Sequence, residues 1–117
     1  MEKEIIYLSE DMQSIIQNHI PNSQILQELS YFYSIFSDST RLKIIISLLI
    51  SEMCVNDISK ILNINHTTVS QQVKFLKNIG AVTCTKNAKF NFYKVTDKFI
   101  NTIMINGVDF ILNRKIV

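Results

Sequence analysis

Apolar residues recur at spacings of three and four through most of the chain, and this period predicts a mainly helical protein. The pattern is clearest over residues 56–80, where a polar turn at 63–65 separates two short apolar stripes. Asn56 and Asn65 are suited to cap the starts of the two helices, and Gly80 is suited to end the second. We therefore predict a helix-turn-helix at 56–80.

The two faces of the second of these helices differ in chemistry. Val69, Val73 and Leu76 form an apolar stripe along one side. The other side carries small polar and basic side chains without an acid, namely His66, Thr67, Ser70, Gln71, Lys74 and Lys77. A helix that is held by a thin apolar stripe and presents such side chains outward fits the major groove of DNA. An ordinary helical hairpin with a solvated face is the alternative interpretation.

The hydrophobic period changes to two after Gly80, which predicts a β-hairpin over residues 81–95. The tip of this hairpin carries Lys86 and Lys89. A last helix is predicted over residues 97–113, with apolar residues on most of its faces. The predicted fold class is therefore mainly α with a small β-hairpin wing, in the order of a winged helix-turn-helix. A basic wing tip is placed to contact the DNA backbone beside the groove that the helix enters.

The chain is long enough for one domain, which we expect to follow a short extension. Residues 1–22 form the extension, with one helix, and residues 23–117 form the winged helix-turn-helix domain. The first helix of this domain and the last helix both carry more apolar surface than one small domain needs to bury. We therefore expect a homodimer whose subunits meet along these helices.

Charge is distributed unevenly, although the net charge is only +2. Residues 1–38 hold six acids and one lysine, whereas residues 60–98 hold seven lysines and one acid. This asymmetry favours an anionic partner for the second half of the chain, and double-stranded DNA is the obvious candidate. Lysines that merely solubilise an isoleucine-rich chain are the simpler alternative.

The sequence argues against several other classes of protein. It has no run of about 18 apolar residues, so no membrane span is expected. Its acidic start is unlike a signal peptide, which favours a cytoplasmic protein. No phosphate loop, no paired acid and base at useful spacing and no Ser/His/Asp grouping is evident. We therefore expect no enzyme, no catalytic residue and no cofactor.

Three stretches of the sequence form a recognisable set. They are FSDSTRLKI at residues 36–44, EMCVNDI at 52–58 and INHTTVSQQVKFL at 64–76. Together with the aromatic strand FYKV at 92–95, they resemble the ArsR/SmtB family of bacterial repressors. The resemblance spans residues 25–97. It departs from the family where Ser39 replaces a usual proline, and where Gln71 and Gln72 replace a usual pair of histidines.

The resemblance implies a homodimeric, sequence-specific repressor that binds a palindromic operator. Family members dimerise through their first and last helices, in agreement with the surplus apolar surface noted above. The resemblance also implies base or phosphate contacts from the second helix of the helix-turn-helix, and backbone contacts from the start of the preceding helix and from the wing. We expect the DNA-binding residues to be Thr40, Arg41, Asn65, His66, Thr67, Ser70, Gln71, Lys74, Lys86 and Lys89.

The two usual metal sites of the family are not expected in this chain. Where the family has two cysteines, this sequence has Cys54 and Asn56, and its last helix offers Asp97 and Asp109 without a histidine. A single thiolate cannot complete a closed site for a soft metal. The effector stays open. Two alternatives also stay open: a thiol redox switch that uses Cys54 and Cys84, and a winged-helix protein-interaction module without specific DNA binding.

Overall fold

The computed structural model describes residues 5–116, and it describes side chains through residue 114. The elements in chain order are α1 (Glu10–His19), α2 (Ser23–Tyr33), a short 3-10 helix (Ser34–Phe36), α3 (Ser39–Ile50), β1 (Met53–Cys54), α4 (Val55–Leu62), α5 (His66–Asn78), β2 (Thr83–Asn87), β3 (Phe90–Lys94) and α6 (Lys98–Ile116). This order confirms the predicted fold class, since α4 and α5 form a helix-turn-helix and β2 and β3 form a wing.

The chain divides into two units between Tyr33 and Ser34. The first unit holds α1 and α2, and neither helix has a buried residue. The second unit begins at the 3-10 helix and holds the helix-turn-helix, the wing and α6. The domain start predicted at residue 23 stays a prediction, since α2 has no buried side chain within a single chain.

The core of the second unit is apolar and lies between the 3-10 helix, α3, α4 and α5. Its fully buried side chains are Ile35, Ile44, Ile45, Leu48, Ile58, Val69, Val73 and Leu76. The predicted apolar stripe of α5 supplies the last three of these. Burial of this stripe fixes which side of α5 turns towards the protein, and so leaves the opposite side for a partner.

The turn between α4 and α5 has the conformation that its sequence predicts. Asn63 adopts a left-handed backbone with φ of 53°, which asparagine tolerates better than most residues. Asn65 then caps α5, since its side-chain Oδ1 accepts a hydrogen bond from the Thr67 backbone N–H at 2.8 Å. The left-handed Asn63 and the Asn65 cap thus end α4 and start α5 within a three-residue turn.

The predicted cap of α4 is wrong. The helix begins at Val55, and Cys54 rather than Asn56 occupies the cap position. Cys54 has an extended backbone because it is also the last residue of β1, so the strand runs directly into the helix. Its thiol makes no capping bond to the backbone and lies 3.3 Å from an Asp57 carboxylate oxygen.

A three-stranded antiparallel sheet completes the wing, with the strand order β1-β3-β2. A two-residue turn at Ala88 and Lys89 joins β2 to β3, as the hairpin pattern predicts. β1 pairs with β3 through Met53, which lies opposite Tyr93. Two residues are too few to show a period, and this strand is therefore absent from the predicted elements.

The last helix, α6, spans 19 residues and extends beyond the predicted segment at 97–113. The Asp97 carboxylate accepts a hydrogen bond from the Phe99 backbone N–H at 2.8 Å at the start of the helix. Only Ile100 of α6 joins the buried core among its described side chains. In the described part of the chain, none of the helices combines the length and hydropathy that crossing a membrane requires.

Candidate nucleic-acid interface

The outward face of α5 carries the side chains that the sequence singles out for DNA contact. Those within the helix are all exposed, and they are His66, Thr67, Ser70, Gln71 and Lys74. Their spacing of one, four, five and eight residues from the first keeps them on one side of the helix, opposite the buried stripe. The structure therefore brings these five predicted residues together.

Asn65 differs from these five because its side chain already has a role in the fold. Its Oδ1 accepts the capping hydrogen bond of α5, so its NH2 group and the second lone pair of Oδ1 are left to meet a partner. The start of α5 carries the positive end of the helix dipole, which favours an anion such as a phosphate. His66 and Thr67 lie at this end, in the first turn.

The wing presents its two lysines at one end of the hairpin. Lys86 lies opposite Asn91 in the ladder, and Lys89 is in the turn itself. Both lysines are exposed. Ala88 in the same turn has a positive φ of 57°, which tightens the connection at the cost of some backbone strain. The short turn therefore places both lysine residues at one end of the β2–β3 ladder.

A polar cleft of about 330 Å³ lies between the helix-turn-helix and the wing. Its lining residues are Cys54, Val55, Asn56, His66, Ser70, Lys89, Phe90, Asn91 and Tyr93. The cleft thus joins His66 and Ser70 of α5 to Lys89 of the wing, whereas Gln71, Lys74 and Lys86 lie outside its lining. Among the described residues that line it, none is acidic, so the cleft is suited to an anion.

The two asparagines that line this cleft, Asn56 and Asn91, are absent from the predicted site. Asn91 could have been predicted from the sequence, because it stands between two aromatic residues of β3 and pairs with Lys86 in the hairpin. Asn56 could not, since its place beside the wing depends on the pairing of β1 with β3. Both amides are exposed and offer hydrogen-bond donors and acceptors.

Tyr93 gives the cleft a neutral polar wall. Partial burial raises the pKa of its hydroxyl above the usual value of 10.0, and the neighbouring Cys84 thiol, which also makes a hydrogen bond to it, raises the pKa further. The hydroxyl therefore stays protonated at neutral pH and brings no negative charge towards the lysines.

Arg41, which is predicted to contact the DNA backbone, makes its described contacts within the protein, and a contact with DNA stays a prediction. Its Nε donates a hydrogen bond to Gln72 Oε1 at 2.8 Å, and its Nη1 donates to the Ser34 carbonyl at 2.6 Å. The guanidinium also stacks over the Phe75 ring, with Cζ 4.1 Å from the ring centroid. Thr40, the other residue predicted at this helix start, is half-buried as Arg41 is. The structure thus uses Arg41 inside the protein.

The two cysteines are free and half-buried, and they lie in the outer strands of the sheet. The register places Cys54 opposite Phe92 and Cys84 opposite Tyr93, so the thiols point to opposite faces. Two strand spacings separate them by roughly 9–10 Å, whereas a disulfide needs Cα atoms within about 7 Å. This arrangement does not favour a disulfide between Cys54 and Cys84 within one chain, and the redox switch stays an untested alternative.

The described residues contain no group of three or more His, Cys, Asp or Glu side chains that is placed to hold a metal ion. Asp97, one of the two acids considered on the last helix, is engaged as its cap. Asp109, the other, is exposed on α6. The exposed face of α5 and the wing tip therefore offer hydrogen-bonding groups and lysine charges to a partner.

Comparison with known proteins identifies a family with these features. The sequence pattern described as "Bacterial regulatory protein, arsR family" matches residues 38–83, from the start of α3 to the first strand of the wing. A relative from Listeria innocua serovar 6a is the cadmium resistance transcriptional regulatory protein CadC. It is 32% identical over 108 residues, which cover 92% of this chain and 90% of the relative.

Solved structures have the same fold at lower identity. NolR from Sinorhizobium fredii matches with a TM-score of 0.70 at 18% identity, over 91% of this chain and 96% of NolR. A homodimeric winged helix-turn-helix DNA-binding domain from Mycobacterium bovis, a possible ArsR-family regulator, matches with a TM-score of 0.68 at 20% identity, over 78% and 83% of the two chains. The present chain belongs to the ArsR family of bacterial regulatory proteins, and it is a winged helix-turn-helix DNA-binding transcriptional regulator.

Proposed function

We propose that the protein is a homodimeric repressor, which acts in the cytoplasm by binding a palindromic operator with α5 and the wing tip of each subunit. The observation that carries the proposal is the arrangement of α5 beside the wing. An exposed polar helix face and a basic hairpin tip border one cleft, and the described lining of this cleft has no acid. A bound dimer would block access of the transcription machinery to the same DNA.

Affinity and specificity come from different side chains in this proposal. Lys74, Lys86 and Lys89 neutralise phosphates, which supplies most of the affinity and no direct sequence information. Ser70 and Gln71 face the groove one turn into α5, where hydrogen bonds to base edges distinguish sequences. With ~4–8 phosphates neutralised per dimer, the logarithm of affinity falls against the logarithm of salt with a slope of about −4 to −7.

The homodimer in this proposal rests on apolar surface that the single chain leaves exposed. On α2, Ile25, Leu26 and Leu29 are exposed by 49%, 41% and 43%, and on α6, Val108 and Phe110 are exposed by 47% and 65%. Apolar surface on this scale is uncommon on a monomer and is typical of an interface. Twofold symmetry then predicts two half-sites about one helical turn of DNA apart.

A titration of the reduced, metal-free protein tests the proposal. One duplex carries the DNA immediately upstream of the protein's own gene, and a second duplex of equal length carries the same bases in scrambled order. We expect tight binding to the first and weak binding to the second, with a steep salt dependence between 50 and 200 mM as for other proteins that neutralise several phosphates. Equal, weak binding to both duplexes would contradict a specific repressor and would favour a winged-helix protein-interaction module.

A further inference from the structure

The guanidinium of Arg41 connects three separate elements of the second unit. It donates from Nη1 to the Ser34 carbonyl of the 3-10 helix at 2.6 Å, and from Nε to Gln72 of α5 at 2.8 Å. Its Cζ also lies 4.1 Å from the centre of the Phe75 ring. A guanidinium can make these contacts together because it is planar, carries several donors and stacks on aromatic rings. A lysine ammonium cannot replace it here.

The partners of Arg41 on α5 flank the buried stripe of that helix. Gln72 and Phe75 are three residues apart, so they lie one turn apart on the same side, and both are half-buried. Gln72 directly follows Gln71, which points outward. The contacts of Arg41 therefore act on the helix at the border between its core side and its DNA-facing side.

Burial and hydrogen bonding constrain α5 in different ways. The buried stripe fixes how deeply the helix packs into the core, since at most 1% of the surface of Val69, Val73 and Leu76 is exposed. Apolar burial itself has no preferred direction. Burial of this stripe fixes which side of the helix faces the core, but it constrains small rotations of the helix about its own axis less than a directional contact does. A hydrogen bond and a stacked ring do have a preferred direction, and they are placed where they oppose such rotation.

A small rotation of α5 is enough to disturb base reading. Side-chain tips lie roughly 5 Å from a helix axis, so a rotation of about 20° moves them by nearly 2 Å. A hydrogen bond to a base edge weakens steeply with displacements far smaller than this. Phosphate contacts made by flexible lysines adapt to the same displacement, because a lysine ammonium is a point charge on a long stem.

We infer that Arg41 is a positioning residue for operator recognition, which holds the rotation of α5 through Gln72 and Phe75 while the Ser34 carbonyl anchors it. The inference rests on the proposed function. It assigns to Arg41 an effect on specificity and not on phosphate binding. The Ser34 carbonyl suits the anchor because it also accepts hydrogen bonds from the backbone N–H of Ser37 at 3.3 Å and from the Ser37 hydroxyl at 2.7 Å.

The test compares Arg41→Gln and Gln72→Met with Lys43→Gln, which removes the same charge from an exposed side chain of the same helix. Each variant is titrated against the upstream and the scrambled duplex over a salt series. For Arg41→Gln and Gln72→Met we expect operator affinity to fall roughly tenfold or more, which is the scale of a lost base contact, with little change on scrambled DNA. The salt slope should stay that of the wild type, and Lys43→Gln should change neither quantity.

Two further variants separate positioning from charge. Arg41→Lys keeps the charge but not the fork of donors, so it should lose operator preference as Arg41→Gln does. The double variant Arg41→Gln with Gln72→Met should lose about as much as either single variant, because both break one connection. Retained preference in Arg41→Lys would overturn the inference. So would an equal loss on both duplexes with a slope shallower by about one per subunit, because that is the signature of a phosphate contact.

A measurement without DNA keeps this inference separable from the proposed function. Backbone hydrogen exchange of the wild type and Arg41→Gln should show faster exchange over residues 66–78 and unchanged exchange in α3. If the wild type itself fails to distinguish the two duplexes, the proposed function fails, and exchange alone decides the role of Arg41. Identical exchange of α5 in both proteins would overturn that role.

Discussion

Two regions of the molecule treat their apolar residues in opposite ways. In the DNA-reading segment, which we define as residues 34–95, side chains such as Ile44, Ile58 and Leu76 are fully buried. In the apolar helices, α1, α2 and α6, residues of the same type such as Leu26 and Leu112 are exposed by 41% and 53%. The first region buries or half-buries most of its large apolar side chains within one chain. The second leaves most of its large apolar side chains exposed in a single chain.

The difference indicates where a second copy would cover apolar surface in the proposed homodimer. Full burial of a large aliphatic side chain stabilises by about 1.5–3 kcal/mol, so covering one that is half exposed adds roughly 1 kcal/mol. A twofold axis repeats each such gain, which helps to offset the ~4–15 kcal/mol that association costs. The DNA-reading segment leaves fewer large apolar side chains exposed, namely Ile46, Ile50, Ile61 and Phe90. We therefore expect substitutions in the two regions to differ in their dependence on protein concentration.

The largest expected effect comes from placing a charge on α6. Val108 lines two mainly apolar grooves between α6 and α3, one that includes Leu42 and one that includes Leu49, and it is 47% exposed. In Val108→Glu the carboxylate is tolerated on a single chain but is buried unpaired in a dimer, at a cost of about 3–5 kcal/mol at each of two sites. We expect sedimentation equilibrium to show a dimer dissociation constant raised at least ~100-fold.

The control for this variant is Ile61→Glu, on α4 of the DNA-reading segment. Ile61 is 67% exposed, more than Val108. The same substitution there should leave the dimer intact, because nothing in the proposal covers that side chain. A dimer of unchanged affinity in Val108→Glu, or one lost equally in both variants, would break the distinction between the two regions.

The next largest effect is expected in the core of the DNA-reading segment. Ile58 of α4 is 0% exposed. Ile58→Ala removes its buried methyl groups and leaves a cavity, which should lower the free energy of unfolding by about 2–5 kcal/mol. Urea unfolding at several protein concentrations measures this loss.

Leu26→Ala in α2 is the matched change in the apolar helices. Its side chain is 41% exposed in the single chain, so its loss should act mainly on the dimer. The destabilisation in Ile58→Ala should therefore be nearly the same at every concentration, whereas that in Leu26→Ala should change with concentration. If both variants responded alike to dilution, α2 would belong to no dimer interface.

Intermediate effects are expected for the side chains that meet DNA. Gln71→Ala removes a bidentate amide from the face of α5, which should cost about 1–3 kcal/mol in discrimination and leave most binding to scrambled DNA. Lys89→Ala removes a charge from the wing tip. It should weaken binding to all sequences alike and make the salt slope shallower by about one per subunit. Equal loss on both duplexes for Gln71→Ala, or an operator-specific loss for Lys89→Ala, would contradict this division of roles.

The parts of the structure that follow from the sequence are those set by near neighbours in the chain. Asn65 caps α5, Gly80 follows the end of α5 with a positive φ, and the hairpin turn lies at the expected place. Periodicity and capping depend on residues within about four positions of one another, so the sequence displays them directly. The same local pattern places the outward side chains of α5 on one face.

The parts that the sequence does not reveal depend on distant residues. Arg41 bonds to Gln72, which is 31 positions away, and no local pattern marks either as a partner of the other. The pairing of β1 with β3 likewise decides that Cys54 and Cys84 face apart. An arginine at the start of a helix in a DNA-binding domain fits a phosphate contact equally well from its charge alone. Only tertiary packing distinguishes the two uses.

A small effect, of opposite sign in the two regions, is expected from the chain's two glycines. Gly80 follows α5 with φ of 84°, and Gly107 lies within α6; an added Cβ would meet nothing within 4 Å at either. Gly80→Ala should destabilise the protein by about 1–2 kcal/mol, because alanine disfavours that backbone conformation. Gly107→Ala should stabilise α6 by about 1 kcal/mol. Thermal unfolding measures both, and a destabilising Gly107→Ala would indicate that the partner approaches α6 closely at this residue.

The smallest expected effect is that of cadmium, although a relative is named for cadmium resistance. The chain has two cysteines, both in the DNA-reading segment and on opposite faces of its sheet. Soft-metal sites need several thiolates directed at one point, and one chain cannot direct these two together. Stoichiometric Cd²⁺ should therefore leave operator affinity unchanged in the titration. Release of DNA by Cd²⁺ in the wild type but not in Cys54→Ser would mean that Cys54 meets ligands from the second subunit. A metal site in the DNA-reading segment would then depend on the second subunit. The contrast between the two regions would not hold at Cys54.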